Sequence, residues 1–134
     1  MLSRHHLLGT HRMIGYITVG TNDLARAAAF YDELFGLIGG KRMMEEDNFI
    51  AWTSDTPGAA FAITKPYDSN PASVGNGVMV AIAVATEDDV HRVHAKALEL
   101  GGSDEGAAGP RGENFYAGYF RDLDGNKLDV FVAG

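Results

Sequence analysis

The 134-residue chain has no cysteine, so it has no disulfide framework, no thiolate nucleophile and no cysteine-based zinc site. It is also short of positive charge: 11 Lys and Arg stand against 18 Asp and Glu, a net charge of −7. That balance, without any basic run, argues against nucleic acid or an anionic membrane surface as a partner, because both need clustered cations. The longest uninterrupted apolar run, Val78 to Ala85, is far too short to span a bilayer. The first twelve residues carry His5, His6 and His11 but no apolar centre, unlike a signal peptide. Met13 offers an alternative start, which makes residues 1–12 a leader outside the fold. With 46% hydrophobic and 22% charged residues, what remains reads as an ordinary soluble globular chain, with the cytoplasm as its expected location.

In chain order, Ile14 to Gly20 alternates as a strand, with Ile14, Tyr16 and Thr18 on one face and Ile17 and Val19 on the other. Thr21-Asn-Asp23 supplies an N-cap and a first-turn acid for a helix running to about Phe35. Its stripe Leu24, Ala27, Tyr31, Leu34 follows amphipathic spacing. Lys41–Met44 reads as extended, followed by an acidic turn Glu45–Asn48. Phe49–Thr53 and Ala59–Thr64 form a hairpin across Asp55-Thr-Pro-Gly58. Residues 65–77, containing Pro66, Pro71, Gly75 and Gly77, are the linker.

The pattern then starts again. Val78–Ala85 is a strand, Thr86-Glu-Asp-Asp89 resembles a capping box, and Val90, Val93, Ala97 and Leu100 repeat the helical stripe. Ser103–Glu113 reads as a polar, Gly-rich loop: a solvated connection, or a lid whose Arg111 is available to an anion. A closing hairpin turns at Asp122-Leu-Asp-Gly-Asn126. Gly36 and Gly101, Asn48 and Asn114, and Gly58 and Gly125 all stand about 66 positions apart, which marks an internal duplication. The fold class is therefore α+β, two tandem βαβββ modules in one domain (residues 13–134), with module one at 13–64 and module two at 78–134. One helix covers one face of each sheet, so the two halves are expected side by side around a shared trough, helices outside.

Alternation then sorts the strands. Bulky Val78, Val80, Ile82, Val84, Phe61 and Ile63 pack on the helices; Met79, Ala81, Ala83, Ala60, Ala62 and Thr64 face the trough with Tyr16, Thr18, Lys127, Asp129 and Phe131. A face floored with Ala and Thr leaves room for a small molecule.

Thr21-Asn-Asp-Leu-Ala-Arg-Ala27 with Phe30-Tyr31 and Leu34-Phe35-Gly36, the linker 71–77 and the hairpin Tyr119 to Leu128 together resemble the vicinal oxygen chelate superfamily, which includes glyoxalase, bleomycin resistance proteins and extradiol dioxygenases. The resemblance covers Met13 to Ala133. It implies an open, incomplete β-barrel around a ligand cavity, commonly in a homodimer. In metal-dependent members four trough-facing side chains, typically His and Glu, hold a divalent ion; those positions fall here on Tyr16, Ala62, Met79 and Asp129. Only Asp129 is a hard-cation ligand, and one carboxylate does not hold such an ion alone. No metal and no other cofactor is expected.

His91 and His94 stand three apart on the second helix, beside its buried stripe and toward solvent. Trp52, Phe49, Phe115, Tyr116 and Tyr119 are core or cavity-wall candidates. The expected ligand-binding set is Tyr16, Thr18, Trp52, Ala62, Met79, Ala81, Arg111, Tyr116, Asp129 and Phe131, with Asp129 and Tyr16 as a metal-free acid–base pair if the protein is a catalyst. The expected function is metal-free binding of a small organic molecule; the alternative is a lyase, isomerase or dioxygenase-like enzyme acting on a small carbonyl compound or thiol adduct.

Overall fold

The computed structural model describes residues 13–56 and 58–134. Residues 1–12, with His5, His6 and His11, lie outside the described residues, as does Pro57 of the first hairpin turn. Strand β1 (Tyr16–Gly20) leads into helix α1 (Leu24–Gly36), followed by β2 (Lys41–Glu46), β3 (Phe49–Thr53) and β4 (Ala60–Thr64). The order recurs as β5 (Val80–Ala83), α2 (Glu87–Glu99), β6 (Ser103–Pro110), β7 (Phe115–Arg121) and β8 (Lys127–Ala133). Two four-stranded mixed sheets result, ordered β1-β4-β3-β2 and β5-β8-β7-β6. Each opens with a parallel pair, β1 on β4 and β5 on β8; the remaining pairs are antiparallel. The α+β architecture of tandem βαβββ modules is thus as expected, and the sheets stay open as an incomplete barrel.

Both helices start where side chains satisfy free backbone donors. The Asp23 carboxylate accepts from Arg26 N and the Thr86 hydroxyl from Asp89 N, each at 3.0 Å. Ala27, Tyr31 and Leu34 of α1 are buried, as are Val90, Val93 and Ala97 of α2. The two helices touch each other, so one apolar core runs through both modules. Its densest part is aromatic: the Tyr31 ring lies 4.7 Å from Phe61, 5.3 Å from Phe35 and 5.8 Å from Trp52 between centroids. Burying each such ring contributes roughly 2–3 kcal/mol.

A polar clasp joins the modules at one end. The buried Tyr31 hydroxyl donates to Asp122 Oδ2 at 2.6 Å. Asp122 also accepts from Asp124 N, Asn126 N and Asn126 Nδ2 at 2.9–3.0 Å. Asn126 Nδ2 donates to Gly20 O, and Asn22 N to Asp124 Oδ1. Gly125, at φ +90°, closes this turn, a conformation glycine takes without a Cβ penalty. Burial, then the Asp122 charge, push the Tyr31 phenol well above its ordinary value.

The structure departs from the sequence reading in three places. Ser103–Pro110 is not a loop but an edge strand, paired only with β7 and interrupted by two register shifts. Edge strands tolerate glycine, proline and charge because one side makes no ladder. Glu45 and Glu46 belong to β2 rather than to a turn. His94 is buried rather than toward solvent: its ring packs on Gly118, where a Cβ would sit 3.1 Å away, and its Nε2 lies 3.1 Å from Asp104 Oδ1. His91 stays exposed, 2.6 Å from the Tyr116 hydroxyl.

Candidate functional site

Each sheet has one face on its helix and one face free of it. In module two the strand registers lay out the free face in rows. Ala81, Asp129, Tyr119 and Gly106 lie side by side across β5, β8, β7 and β6. The next row is Ala83, Phe131, Ala117 and Gly109, and Lys127 pairs with Arg121 on the other side. Small residues therefore surround a central Tyr119, Asp129 and Phe131, with the Phe131 ring stacked on Phe115 at 5.2 Å.

Asp129 is 2% exposed, and its Oδ1 has no hydrogen-bond partner among the described residues. Burial alone pushes its carboxyl up to about 6, since a low-dielectric site disfavours the charged form. Arg111 lies on the same face, its guanidinium 5.4 Å from the Tyr119 ring centroid. It is no free lid residue: Nη2 donates to Ala107 O at 2.6 Å and Nη1 to Pro110 O at 3.2 Å.

The corresponding row of module one is Thr18, Ala62, Ala51 and Met44. Ala62 is fully buried, Thr18 exposed, and Tyr16 65% exposed with its ring edge-on to Phe49 at 6.4 Å. Met79 stands just before β5, 42% exposed.

The expected set is thus divided. Ala81, Asp129, Phe131 and Arg111 come together on the module-two face, and Tyr16, Thr18 and Ala62 on the module-one face. Tyr16 belongs to the other sheet, and the phenol standing opposite Asp129 across the ladder is Tyr119. Trp52 and Tyr116 are on the helix side, not the free faces. Trp52 is 2% exposed and donates through Nε1 to Asp32 Oδ1 at 2.9 Å. That carboxylate is held below its ordinary range first by Arg42, which grips it with Nε and Nη2. Tyr116 pairs with Val132 and reaches His91 on α2. Alternation carries the reason: Trp52 shares a face with Ile50, and Tyr116 with Phe120. The same alternation, counted outward from the Asp122–Asn126 turn, places Tyr119 against Asp129.

A second concavity, of about 620 Å3, lies between the modules. Phe35, Ile38, Trp52, Ala60, Ala81 and Ile82 are among its walls. It is mostly apolar, with Asp89 and the hydroxyls of the first hairpin turn also lining it.

Duplicated βαβββ units with open sheets and helices on one side define a two-module α+β class. Residues 13–130 match the family model of the Glyoxalase/Bleomycin resistance protein/Dioxygenase superfamily, and the chain belongs to that superfamily. It is 31% identical to a glyoxalase/bleomycin resistance protein from Albidiferax ferrireducens T118, whose structure superposes with a TM-score of 0.82 over 90% of this chain and 98% of that one. A lactoylglutathione lyase from Agrobacterium tumefaciens matches at 19% identity and a TM-score of 0.66, covering 91% and 94% of the two chains. A genomically encoded fosfomycin resistance protein from Listeria monocytogenes, complexed with Mn(II) and sulfate, matches at 15% and 0.67, covering 93% of each. The last two likenesses carry the fold alone. No curated protein sequence matches the chain.

Proposed function

We propose that this protein binds a small, partly aromatic or apolar organic molecule on the helix-free faces of its sheets, without the metal that other members use. The observation that carries the reading is the donor set. The positions the resemblance aligns with the chelating side chains hold a phenol, a methyl, a thioether and one carboxylate: Tyr16, Ala62, Met79 and Asp129. A divalent cation needs several nitrogen or oxygen donors converging, and these residues do not fit one. Among the described residues no three His, Asp or Glu form a group able to hold a metal. The relatives' names span both lyase and antibiotic resistance, and the donor set favours the binder.

The working form is a homodimer in the cytoplasm. Strands β1 and β5 each pair on one side only and carry no charged residue, and uncharged edges are open to a second chain. Tyr16, Val78 and Met79 stand exposed along them, a concentration of apolar surface typical of interfaces. A second copy laid against these edges would close the faces into a trough. Among the described residues no helix is long and apolar enough to cross a membrane.

Ligand screening by thermal shift tests the binding reading, because a ligand at a hundred times its dissociation constant stabilises the folded state by about 2.7 kcal/mol. A hit should protect in proportion to its amount, without turnover. Near one metal per untagged chain by elemental analysis would sink the metal-free reading. The enzymatic alternative draws on one observation, the buried Asp129 carboxyl with its partnerless oxygen beside Tyr119. It requires turnover that Asp129→Asn abolishes while the fold survives.

A further inference from the structure

Two half-buried cations on the module-two face lack an acidic partner, and they meet at one ring. Of the 11 Lys and Arg, Arg4 and Arg12 lie outside the described residues. Arg26, Arg42, Arg92, Lys96 and Arg121 are in ion pairs. Lys41 and Lys65 are exposed and solvated. That leaves Arg111 and Lys127. Both are half-buried, neither is in an ion pair among the described residues, and both sit over Tyr119, at 5.4 and 5.8 Å from its centroid.

Their placement is built rather than incidental. The Arg111 guanidinium lies close against Gly106, where a Cβ would meet Tyr119 at 3.2 Å and Arg111 Nη2 at 3.3 Å. The carbonyls of Ala107 and Pro110 fix it there. These two bonds use two of the five guanidinium N–H donors, and the others stay available. Lys127 enters the face from β8, two residues before Asp129. In a chain of net charge −7, leaving two partly desolvated cations without a carboxylate is costly, and a bound anion would offset that cost.

We propose that the ligand of this face is a small organic anion, whose oxyanion group (carboxylate, phosphonate or similar) meets Arg111 and Lys127 and whose apolar part lies over Ala83 and Phe131. This deepens the binding reading above and rests on it. Asp129 is the negative counterweight. Its carboxyl next to the anion selects for one charged group rather than several.

The test uses phenylacetate and its uncharged counterpart phenylacetamide, each titrated to 20 mM into the 15N-labelled full chain. Phenylphosphonate serves as a second oxyanion. The two acids should shift the backbone amides of Gly106, Ala117 and Tyr119 about tenfold more tightly than the amide does, because charge-assisted bonds to Arg and Lys are the strong ones. Arg111→Gln and Lys127→Gln should each weaken the acids several-fold, and 500 mM NaCl should do the same. Asp129→Asn should tighten them, since it removes a negative charge. If acid and amide shift these residues equally, or if the Arg111 and Lys127 variants bind the acids unchanged, the anion inference is overturned while binding on this face stands. If neither acid shifts this face at 20 mM, the inference also fails. If all three probes shift only the walls of the cavity between the modules, the binding reading fails with it.

Discussion

The two helix-free faces share one geometry and differ in chemistry. Across module one the central row reads Thr18, Ala62, Ala51, Met44; across module two it reads Ala81, Asp129, Tyr119, Gly106. Ala62 and Asp129 hold equivalent places, each on the strand that pairs in parallel with the first strand of its module. Both are buried, one a methyl and the other a carboxyl with a partnerless oxygen. Duplication therefore preserved the row and left ionisable groups on one half. A buried carboxyl costs stability unless something answers it, so its presence on one face only points to a function there.

The largest expected effect comes from forcing module one to match. Ala62→Asp puts a carboxyl at a fully buried position beside Ala51 and Thr18, with no cation in its row. Roughly 3 kcal/mol or more should be lost, read as a lower midpoint in urea at pH 8. A cost under about 1 kcal/mol would mean that the module-one face accommodates charge as readily as module two, and the contrast would dissolve.

The reverse change, Asp129→Asn, should show the same asymmetry through pH. Asp129 has a folded value of about 6 against an ordinary 3.8, so the folded state holds the proton more tightly than the unfolded chain does. Its favourable contribution is complete below about pH 4 and disappears as pH rises through 6. At 1.36 kcal/mol per unit, the wild type should lose about 2–3 kcal/mol across that window. The Asn variant should lack this part of the slope. Stability curves at pH 4, 6 and 8 that run parallel for the two proteins would show that Asp129 is solvated, and no stored penalty would then mark the face.

Somewhat smaller is the effect of opening the clasp. The hairpin turn of module two is tied to module one through Tyr31 and Asp122, whereas the turn of module one borders the cavity between the modules. Tyr31→Phe keeps the ring in the aromatic core and removes one bond to a carboxylate. A loss of about 2 kcal/mol is expected; an unchanged melting temperature would make the clasp a by-product of packing.

Much of this was legible in the chain. The strand, helix and hairpin order followed from two periodicities and from capping residues that act locally, Asp23 and Thr86 among them. Strand β6 was not, because Ser103 to Pro110 has neither alternation nor β-formers, and only its pairing with β7 makes it a strand. Parity places Asp129 and Ala62 on the free faces and Trp52 and Tyr116 on the helix side, whereas residue type alone does not separate a core ring from a cavity wall. The clasp could be seen as a turn, not as a joint, since the Tyr31 partner lies 91 residues away. How the two modules lie against each other was likewise beyond local pattern, because it depends on how α1 meets α2.

The smallest effect on stability, and the most direct on function, comes from filling the floor. Ala83 is exposed beside Phe131, so Ala83→Phe adds a ring over an open face and should cost under about 1 kcal/mol. Ligand binding should nonetheless disappear, because the added ring takes the volume the ligand needs. Ala83 also borders the cavity between the modules, so this variant alone does not separate the two places. Phe131→Ala does, since Phe131 stacks on Phe115 on the face and is not among the cavity walls. Loss of affinity in both variants puts the ligand on the module-two face. Loss in Ala83→Phe with full affinity in Phe131→Ala moves it into the cavity, and the contrast between the two faces would then concern folding alone.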